Sequence, residues 1–303
     1  MFNRAAYGTF PAGSTFKIIV ALAGLESGIL NPSDVYESKG YYQLGGRGRP
    51  IRDTAGEGKF DFERAFYKSS NPYFIHYGLQ IGAERLIEMG RRFRFGEPTG
   101  LLTRQEARGY FPLLGPPRKQ DGSRWMDGDT ANLSIGHGEI LVTPLQMAVM
   151  VAAIANGGAI LQPRLVDRIE PQANVSAENS VQFPASIVRS EIRVSQRTLD
   201  TLRKGMLADV ENPEGTGRRA AVSDHFKVCG KTGTAALPKE SITWFVSYAP
   251  YENPRYAVAV VVSSGPHEGS GGGTCAPVAR EIYQTIVKRE AAAQKAPSLV
   301  NLQ

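Results

Sequence analysis

Apolar runs along the first two thirds of the chain alternate with stretches rich in Gly and Pro. The pattern predicts helices over 14–28, 62–81, 84–94, 143–156 and 195–210. Ser14 and Gly28 suit the start and the end of the first of them. A break is expected at Asn71-Pro72, because proline lacks the N–H that a helix interior needs. The range 31–60 predicts a loop or hairpin, and the range 98–129 an irregular wall.

The last part of the chain predicts a sheet followed by a closing helix. The three strand-like runs are 228–234, 243–249 and 256–263. The last run is apolar almost throughout, as expected of a buried strand. Residues 161–193 alternate as strands with a surface excursion near 173–180, and a helix is expected over 276–289 with Pro277 near its start.

Helices in the middle and a sheet near the end predict a mixed α/β fold of the α+β kind. An all-helical lobe and a helix-covered antiparallel sheet would share one cleft. The helical lobe is expected over about 30–157, and the sheet lobe over about 1–29 and 158–290. The tail, 291–303, is expected to be disordered.

Composition narrows the classes of protein that fit. A chain of 303 residues can bury a sizeable core, and 42% apolar with 21% charged residues is typical of a soluble globular protein. The net charge of +6 mildly favours anionic surroundings such as membrane lipid or cell wall. It is too diffuse to indicate nucleic-acid binding. The pattern of the given sequence predicts neither a signal peptide nor a membrane-spanning stretch of about 20 apolar residues.

The chain has two cysteines, Cys229 and Cys275. Their positions lack the spacing of metal ligands. They can pair as one disulfide, but two buried free thiols are the interpretation that we favour.

Three short motifs carry the candidate chemistry. In chain order they are Ser14-Thr15-Phe16-Lys17, Ser69-Ser70-Asn71 and Lys231-Thr232-Gly233-Thr234. One helical turn separates Ser14 from Lys17, so both side chains reach the same face. A serine hydroxyl is a weak nucleophile until a neighbour takes its proton, and a lysine with a lowered pKa can do so. Each motif alone is better explained as a cap, a turn or a solvated strand, but together they indicate a serine acyl-transferase.

These motifs and several other stretches resemble the transpeptidase domain of class B penicillin-binding proteins, most closely the elongation type, penicillin-binding protein 2. The resemblance extends from about Asn3 to about Lys288. The other stretches are Asn3-Arg4-Ala5, 128–136, Thr143-Pro144-Leu145-Gln146, Trp244-Phe245 and 276–281. It implies the transpeptidase fold shared with serine β-lactamases.

The resemblance implies a role for each residue of the first two motifs. Ser14 would be the nucleophile, with Lys17 as its base. Ser69 would relay a proton to the leaving amine, and Asn71 would hydrogen-bond the amide of the substrate. From the third motif, Lys231 would supply positive charge near Ser69.

The rest of the third motif would bind substrate. The substrate would add to this strand as an extra strand, with Gly233 allowing a close approach of its backbone. The hydroxyls of Thr232 and Thr234 would hold its terminal carboxylate. The backbone N–H groups of Ser14 and Thr234 would form the oxyanion hole.

As an activity, the resemblance implies a peptidoglycan D,D-transpeptidase that needs no cofactor and is blocked by β-lactams. Its partners would be stem peptides and a membrane-embedded glycan polymerase, at the outer face of the cytoplasmic membrane. Relatives place two strands and a helix before the serine motif, so we expect the chain to be an N-terminally truncated part of an anchored parent. We expect no metal, because 63–68 lack the Cys and His with which some relatives bind zinc.

Three alternatives stay open. The chain can be a serine β-lactamase or a D,D-carboxypeptidase, although we find no motif for a deacylating base. It can be a module that binds β-lactams without turnover, or a fragment that is unstable alone.

Four further residues fall outside this set of roles. His137 stands where relatives usually have glutamine, and we interpret it as structural. Trp244 is expected in the core beside the site. Trp125 and Tyr110 are more simply packing anchors than cleft residues.

Overall fold

The computed structural model describes residues 3–45, 49–102, 106–170 and 180–295. The helices are α1 Arg4–Tyr7, α2 Lys17–Ser27, α3 Phe62–Lys68, α4 Asn71–Ile81, α5 Ala83–Arg92, α6 Asp127–Ser134, α7 Pro144–Ala155, α8 Gln196–Glu211 and α9 Ala276–Lys295. The strands are β1 Tyr36–Tyr42, β2 Ile51–Phe60, β3 Ala159–Leu161, β4 Arg168–Ile169, β5 Val181–Gln182, β6 Val188–Glu191, β7 Cys229–Ala236, β8 Ser241–Ala249 and β9 Tyr256–Ser264. The fold is of the α+β kind, as predicted.

The main sheet is antiparallel and has the order β7-β8-β9, from the three runs that the sequence predicts as strands. In its register Gly233 lies opposite Trp244, and Trp244 opposite Val261. Every residue of β8 is buried, whereas β9 is mostly half-buried. The central strand therefore carries the core of the sheet, and β7, with the third motif, lies at one edge.

Helix α2 is the centre of the helical packing. Residues Lys17 to Gly24 are all buried, and the helix packs against α4, α5 and α8. Helix α8 in turn packs against α3 and β7. It therefore joins the helices to the edge strand of the sheet.

The predicted helix over 14–28 begins later than expected. Ser14 is not its N-cap: it lies inside a 3-10 turn, Gly13–Phe16, and α2 starts at Lys17. Gly13, at the start of this turn, adopts a left-handed backbone conformation with φ of 54°, which glycine tolerates without strain. The predicted end is confirmed, since Gly28 adopts φ of 72° and its N–H bonds to the Leu25 carbonyl.

Among the other predictions, two agree with the structure and two differ from it. The break at Asn71-Pro72 separates α3 from α4, and the range 31–60 contains the β1–β2 hairpin. Helix α6 begins at Asp127, inside the range expected to be irregular. Helix α9 continues to Lys295, so 291–295 are helical rather than disordered. Most of the predicted excursion at 173–180, and 296–303 of the tail, lie outside the described residues.

Cys229 and Cys275 are buried free thiols, so the favoured interpretation is confirmed. The Cys275 thiol donates to the backbone carbonyl of Thr243. In the part of the chain that the structure describes, no helix combines the length and the apolar character needed to cross a membrane.

Candidate active site

The turn that carries Ser14 is held by two long-range hydrogen bonds. The Gly13 N–H donates to the Gly136 carbonyl at 2.9 Å, and Trp244 Nε1 donates to the Pro11 carbonyl at 2.9 Å. Trp244 is fully buried, so the position expected for it in the core is confirmed. The turn is therefore fixed by the core of the sheet and by the loop after α6.

The third motif lies directly against this turn. A Cβ added at Gly233 would lie 2.9 Å from Thr15 Cγ2 and 3.2 Å from the Ala12 carbonyl oxygen. A Cβ added at Gly13 would lie 3.0 Å from the Thr234 carbonyl oxygen. Only glycines allow this approach, because each lacks the Cβ that would collide. The backbones around Ser14 and Thr234, predicted to form the oxyanion hole, are thus neighbours.

Lys17 joins the first motif to the second. Its Nζ donates to the Ser69 carbonyl at 2.6 Å and to Asn71 Oδ1 at 2.7 Å, and it lies 3.2 Å from Ser69 Oγ. The side chain is fully buried, with Nζ 5.5 Å from the centre of the Phe74 ring. Among the hydrogen bonds of the described residues, none joins Lys17 to Ser14 Oγ. Apo sites often hold catalytic groups in this looser arrangement.

Burial lowers the pKa of Lys17 well below the ordinary lysine value. The charge of Lys231 lowers it further, and the carboxylate of Asp53 opposes the shift. Nζ donates to the Ser69 carbonyl and to Asn71 Oδ1, and a neutral amine can make both bonds with its two N–H groups and keep a lone pair for a proton. Lys17 therefore has the properties that a general base requires.

Ser69 adopts an unusual backbone conformation. Its φ of 59° and ψ of 40° lie in the left-handed region, at the residue that ends α3. Non-glycine residues rarely adopt it, and such residues cluster at functional sites. The next residue, Ser70, is the N-cap of α4, so the kink between α3 and α4 presents the Ser69 side chain and carbonyl to Lys17.

Asp53 of β2 holds the second motif from outside the helices. It accepts a hydrogen bond from Ser70 Oγ at 2.7 Å and another from the Asn71 N–H at 3.0 Å. Sequence reasoning missed Asp53, because it lies in a range predicted only as a loop or hairpin. No local pattern marks it, since its role depends on a contact between distant segments.

Lys231, the first residue of the third motif, is fully buried. Its Nζ lies 3.9 Å from Asp209 Oδ1 and 5.5 Å from the centre of the Phe66 ring. Burial lowers the pKa of Lys231, and the charge of Asp209 raises it. Asp209 is the second residue that sequence reasoning missed.

The two threonines of the third motif differ in access. Thr234 is exposed, and its Oγ1 accepts a hydrogen bond from the Gly271 N–H at 3.3 Å. Thr232 is buried, with its Oγ1 2.7 Å from Thr216 Oγ1. The hydroxyl of Thr234 is therefore the one already open to a ligand.

His137, Trp125 and Tyr110 lie outside the three motifs. Burial and the charge of Lys17 lower the pKa of His137, and a hydrogen bond to the Thr234 backbone opposes them. Trp125 Nε1 donates to Thr130 Oγ1 at 2.9 Å, and Tyr110 forms a β-bridge with Leu141. Trp125 and Tyr110 thus make the local contacts expected of packing anchors.

Across the described ranges, no cluster of three or more His, Cys, Asp or Glu side chains is arranged to hold a metal ion. The expectation that no metal is needed stays a prediction.

A helical region and an antiparallel sheet that meet at these three motifs are typical of the serine enzymes that react with penicillin. The chain belongs to the penicillin-binding protein transpeptidase domain family, whose match covers residues 1–284.

The names of proteins with similar sequences are consistent with this family. The chain is 30% identical to the peptidoglycan D,D-transpeptidase MrdA of Haemophilus influenzae, over 93% of this chain and 45% of that protein. It is also 30% identical to the penicillin-binding protein PbpB of Mycolicibacterium smegmatis, over 95% of this chain and 45% of that protein. The chain thus spans about half the length of these relatives.

Solved structures show the same fold. The Pseudomonas aeruginosa PBP2 in complex with WCK 5153 matches with a TM-score of 0.79 at 31% identity, covering 98% of this chain and 64% of that one. Penicillin-binding protein 3 from Mycobacterium tuberculosis, complexed with aztreonam, matches with a TM-score of 0.78 at 29% identity, covering 95% of this chain and 64% of that one. The transpeptidase fold and the elongation-type resemblance are confirmed.

Proposed function

We propose that this protein is a peptidoglycan D,D-transpeptidase that works through an acyl-enzyme on Ser14. The observation that carries the proposal is the buried Lys17, which is bonded to Ser69 and Asn71 and lies one turn after Ser14. The names and family of its relatives support the same activity.

In the acylation step, Ser14 Oγ attacks the carbonyl between the two terminal D-alanines of a stem peptide. The hydroxyl proton passes to Lys17, and the oxyanion is stabilised by the backbone N–H groups of Ser14 and Thr234. When the C–N bond breaks, the leaving D-alanine amine receives a proton through Ser69. An amine of a neighbouring stem then takes the acyl group by the reverse sequence and forms the cross-link.

Substrate binding uses the edge position of β7. An extended stem peptide adds along this edge, and Gly233 contributes indirectly, because its missing Cβ lets the turn of Ser14 lie against β7. The Asn71 amide hydrogen-bonds the substrate amide, and Lys231 adds positive charge on the side of the leaving group. The hydroxyls of Thr232 and Thr234 hold the terminal carboxylate. Thr234 binds it first, because its side chain is exposed and that of Thr232 is buried.

The proposal extends to partners and place. β-Lactams resemble the D-Ala-D-Ala end and stop at the acyl-enzyme; a homologous structure contains aztreonam. The protein would act at the outer face of the cytoplasmic membrane and work with a membrane-embedded glycan polymerase. These two points rest on the family resemblance.

Covalent labelling tests the nucleophile. The protein is incubated with a fluorescent penicillin and weighed intact, beside Ser14→Ala. As a matched control, Ser27→Ala removes an exposed hydroxyl at the far end of α2. We expect a mass gain equal to the whole lactam in the wild type and in Ser27→Ala, because ring opening releases no leaving group. Ser14→Ala should stay unlabelled.

The fate of the acyl group separates the alternatives. Cross-linked product from stem peptides supports the transpeptidase. Rapid turnover of a chromogenic lactam indicates a β-lactamase instead, and release of D-alanine without cross-links indicates a carboxypeptidase. A stable label without any product indicates a binding module. Label that persists in Ser14→Ala would remove Ser14 as the nucleophile.

A further inference from the structure

An acidic residue interrupts the buried face of α8. The residues buried on this face include Leu199, Leu202 and Met206, and the next position on the same stripe is Asp209, which is fully buried. Asp is almost never fully buried unless it is paired. The sequence pattern alone therefore marks Asp209 as an exception to the amphipathic design of this helix.

Asp209 is linked to two consecutive residues of the third motif, Lys231 and Thr232. Its Oδ1 lies 3.9 Å from Lys231 Nζ and accepts a hydrogen bond from Thr216 Oγ1 at 2.5 Å. Thr216 Oγ1 lies 2.7 Å from Thr232 Oγ1. One carboxylate thus reaches the cation of the motif directly and its first threonine through one hydroxyl.

The second oxygen of the same carboxylate is enclosed without a partner. Asp209 Oδ2 is buried and makes no hydrogen bond within the described residues. A Cβ added at Gly217 would lie 2.5 Å from it, so the backbone closes over this oxygen. A buried polar atom left unsatisfied is costly and calls for an explanation beyond packing.

We propose that Asp209 is a positioning residue that holds the charge of Lys231 in place and, through Thr216, orients Thr232 for the substrate carboxylate. This inference deepens the transpeptidase function proposed above and rests on it. A valine-sized apolar side chain would satisfy the packing of α8 equally well, so packing does not explain an acid here.

The charge of Asp209 affects Lys17, the proposed base, through Lys231. Two charged side chains of the described chain interact with Lys231: Asp209 from α8 and Lys17 from α2. Asp209 raises the pKa of Lys231 against the effect of burial, and the resulting cation lowers the pKa of Lys17. Asp53 faces Lys17 from β2 and acts in the opposite sense. Burial raises the pKa of Asp209 itself, while the charge of Lys231 and hydrogen bonds from Thr216 and from the Thr232 backbone counter that shift.

The test is the pH profile of acylation by a fluorescent penicillin in Asp209→Asn, which keeps the shape and removes the charge. Without the carboxylate, Lys231 loses its proton at lower pH, so the alkaline limb should move down by about 1 pH unit or more. The acid limb, which reports Lys17, should stay in place wherever Lys231 still carries its proton. Asp200→Asn, on an exposed position of the same helix, is the control and should match the wild type. Equal loss at every pH, or an unmoved alkaline limb, would overturn the proposal.

Thr216→Val tests the link from Asp209 through Thr216 to Thr232. It leaves the charges of Asp209 and Lys231 in place. The alkaline limb should not move, the acylation rate at saturation should hold, and the concentration for half-saturation should rise about threefold to tenfold. Unchanged capture of the lactam would remove the role of Thr216 in orienting Thr232. If Asp209→Asn proves unstable by circular dichroism, Thr216→Val still tests whether Thr232 is oriented from α8.

A readout that needs no activity separates this inference from the proposed function. The titration of Lys231 is followed by NMR of 13Cε-labelled lysine, with Lys231→Met for assignment. A midpoint lowered by about 1 pH unit or more in Asp209→Asn supports the pair even if penicillin fails to label the wild type, which would overturn the function alone. An unchanged midpoint overturns the pair whether or not the protein is labelled.

Discussion

Lys17 Nζ donates a 2.7 Å hydrogen bond to Asn71 Oδ1, although the residues are 54 positions apart in the chain. The first residue starts α2 and the second starts α4, so this bond fixes two helix starts relative to each other. Because Lys17 is fully buried, its amine has no water to replace a lost partner. The second motif is thereby part of the environment that sets the basicity of Lys17.

Replacing Lys17 should stop acylation without unfolding the protein. We expect Lys17→Met to lower the rate of penicillin acylation by about 10²–10⁴-fold, the usual contribution of a general base. In the wild type the rate should rise with pH through the pKa of Lys17, well below the range of an exposed lysine, because burial lowers that pKa. Stopped-flow labelling across pH measures both effects. An acid limb near the ordinary lysine value would contradict the assignment.

The same lysine predicts a pH dependence of stability. Its pKa is lowered in the folded state and near 10.4 when unfolded, as a rough model-peptide value. Between these two values the unfolded chain binds more protons, so the free energy of unfolding rises with pH. Relative to Lys17→Met, the wild type should therefore gain stability as pH rises towards about 10.4. Urea unfolding of both proteins at several pH values measures the difference; a falling difference would refute it.

Asp53 should matter although it belongs to none of the three motifs. In Asp53→Ala, Ser70 Oγ and the Asn71 N–H lose their acceptor, so we expect unfolding to need about 1–3 kcal/mol less. Acylation should slow because the second motif is no longer held. Glu57→Ala, on an exposed position of the same strand, is the matched control. Equal behaviour of the two variants, by thermal melting and labelling, would show that Asp53 does not hold the motif.

Much of the fold could be predicted from local pattern. The strand over 243–249 and the helix break at Asn71-Pro72 follow from apolar runs and from the missing proline N–H, and both agree with the structure. The start of α2 could not, because the 3-10 turn at Ser14 is held by Gly136 and Trp244, which lie far along the chain.

In the candidate site too, some residues could be predicted from the sequence and others depend on contacts between distant segments. Motif order was enough to select Lys17, Ser69 and Asn71, which the structure brings together. It was not enough for Asp53, whose partners lie on another element and leave no periodic signal. Asp209 did leave one, as an acid on an apolar stripe, but its partner Lys231 is visible only once α8 packs on β7.

The two cysteines should be unreactive in the folded protein. Cys229 and Cys275 are fully buried, and burial raises the pKa of the Cys229 thiol to about 12. Because the thiolate is the reactive form, Ellman's reagent should label neither thiol at neutral pH. Both should react at once in guanidinium chloride, with or without prior reduction. A need for reductant before labelling would indicate a disulfide in the protein as isolated.

Gly136 and Gly28 offer a matched pair for testing the turn that holds Ser14. Both have φ of 72°, so alanine at either position carries the same backbone strain, about 1–2 kcal/mol. Around Gly28 a Cβ would meet no atom within 4 Å, whereas at Gly136 it would lie 1.9 Å from the Gly13 carbonyl oxygen. Backbone cannot move aside as a flexible side chain can, so Gly136→Ala must displace the turn that carries Ser14.

We therefore expect Gly28→Ala to lose about 1–2 kcal/mol of stability and to keep the wild-type rate of penicillin acylation. Gly136→Ala should lose more stability and, in the fraction still folded, most of the acylation rate, because a displacement of about 1 Å misaligns the nucleophile. Urea unfolding and labelling at a temperature where both variants are folded measure the two effects. Full acylation in folded Gly136→Ala would show that Ser14 tolerates movement of its turn. The contact with Gly13 would then be a matter of stability alone.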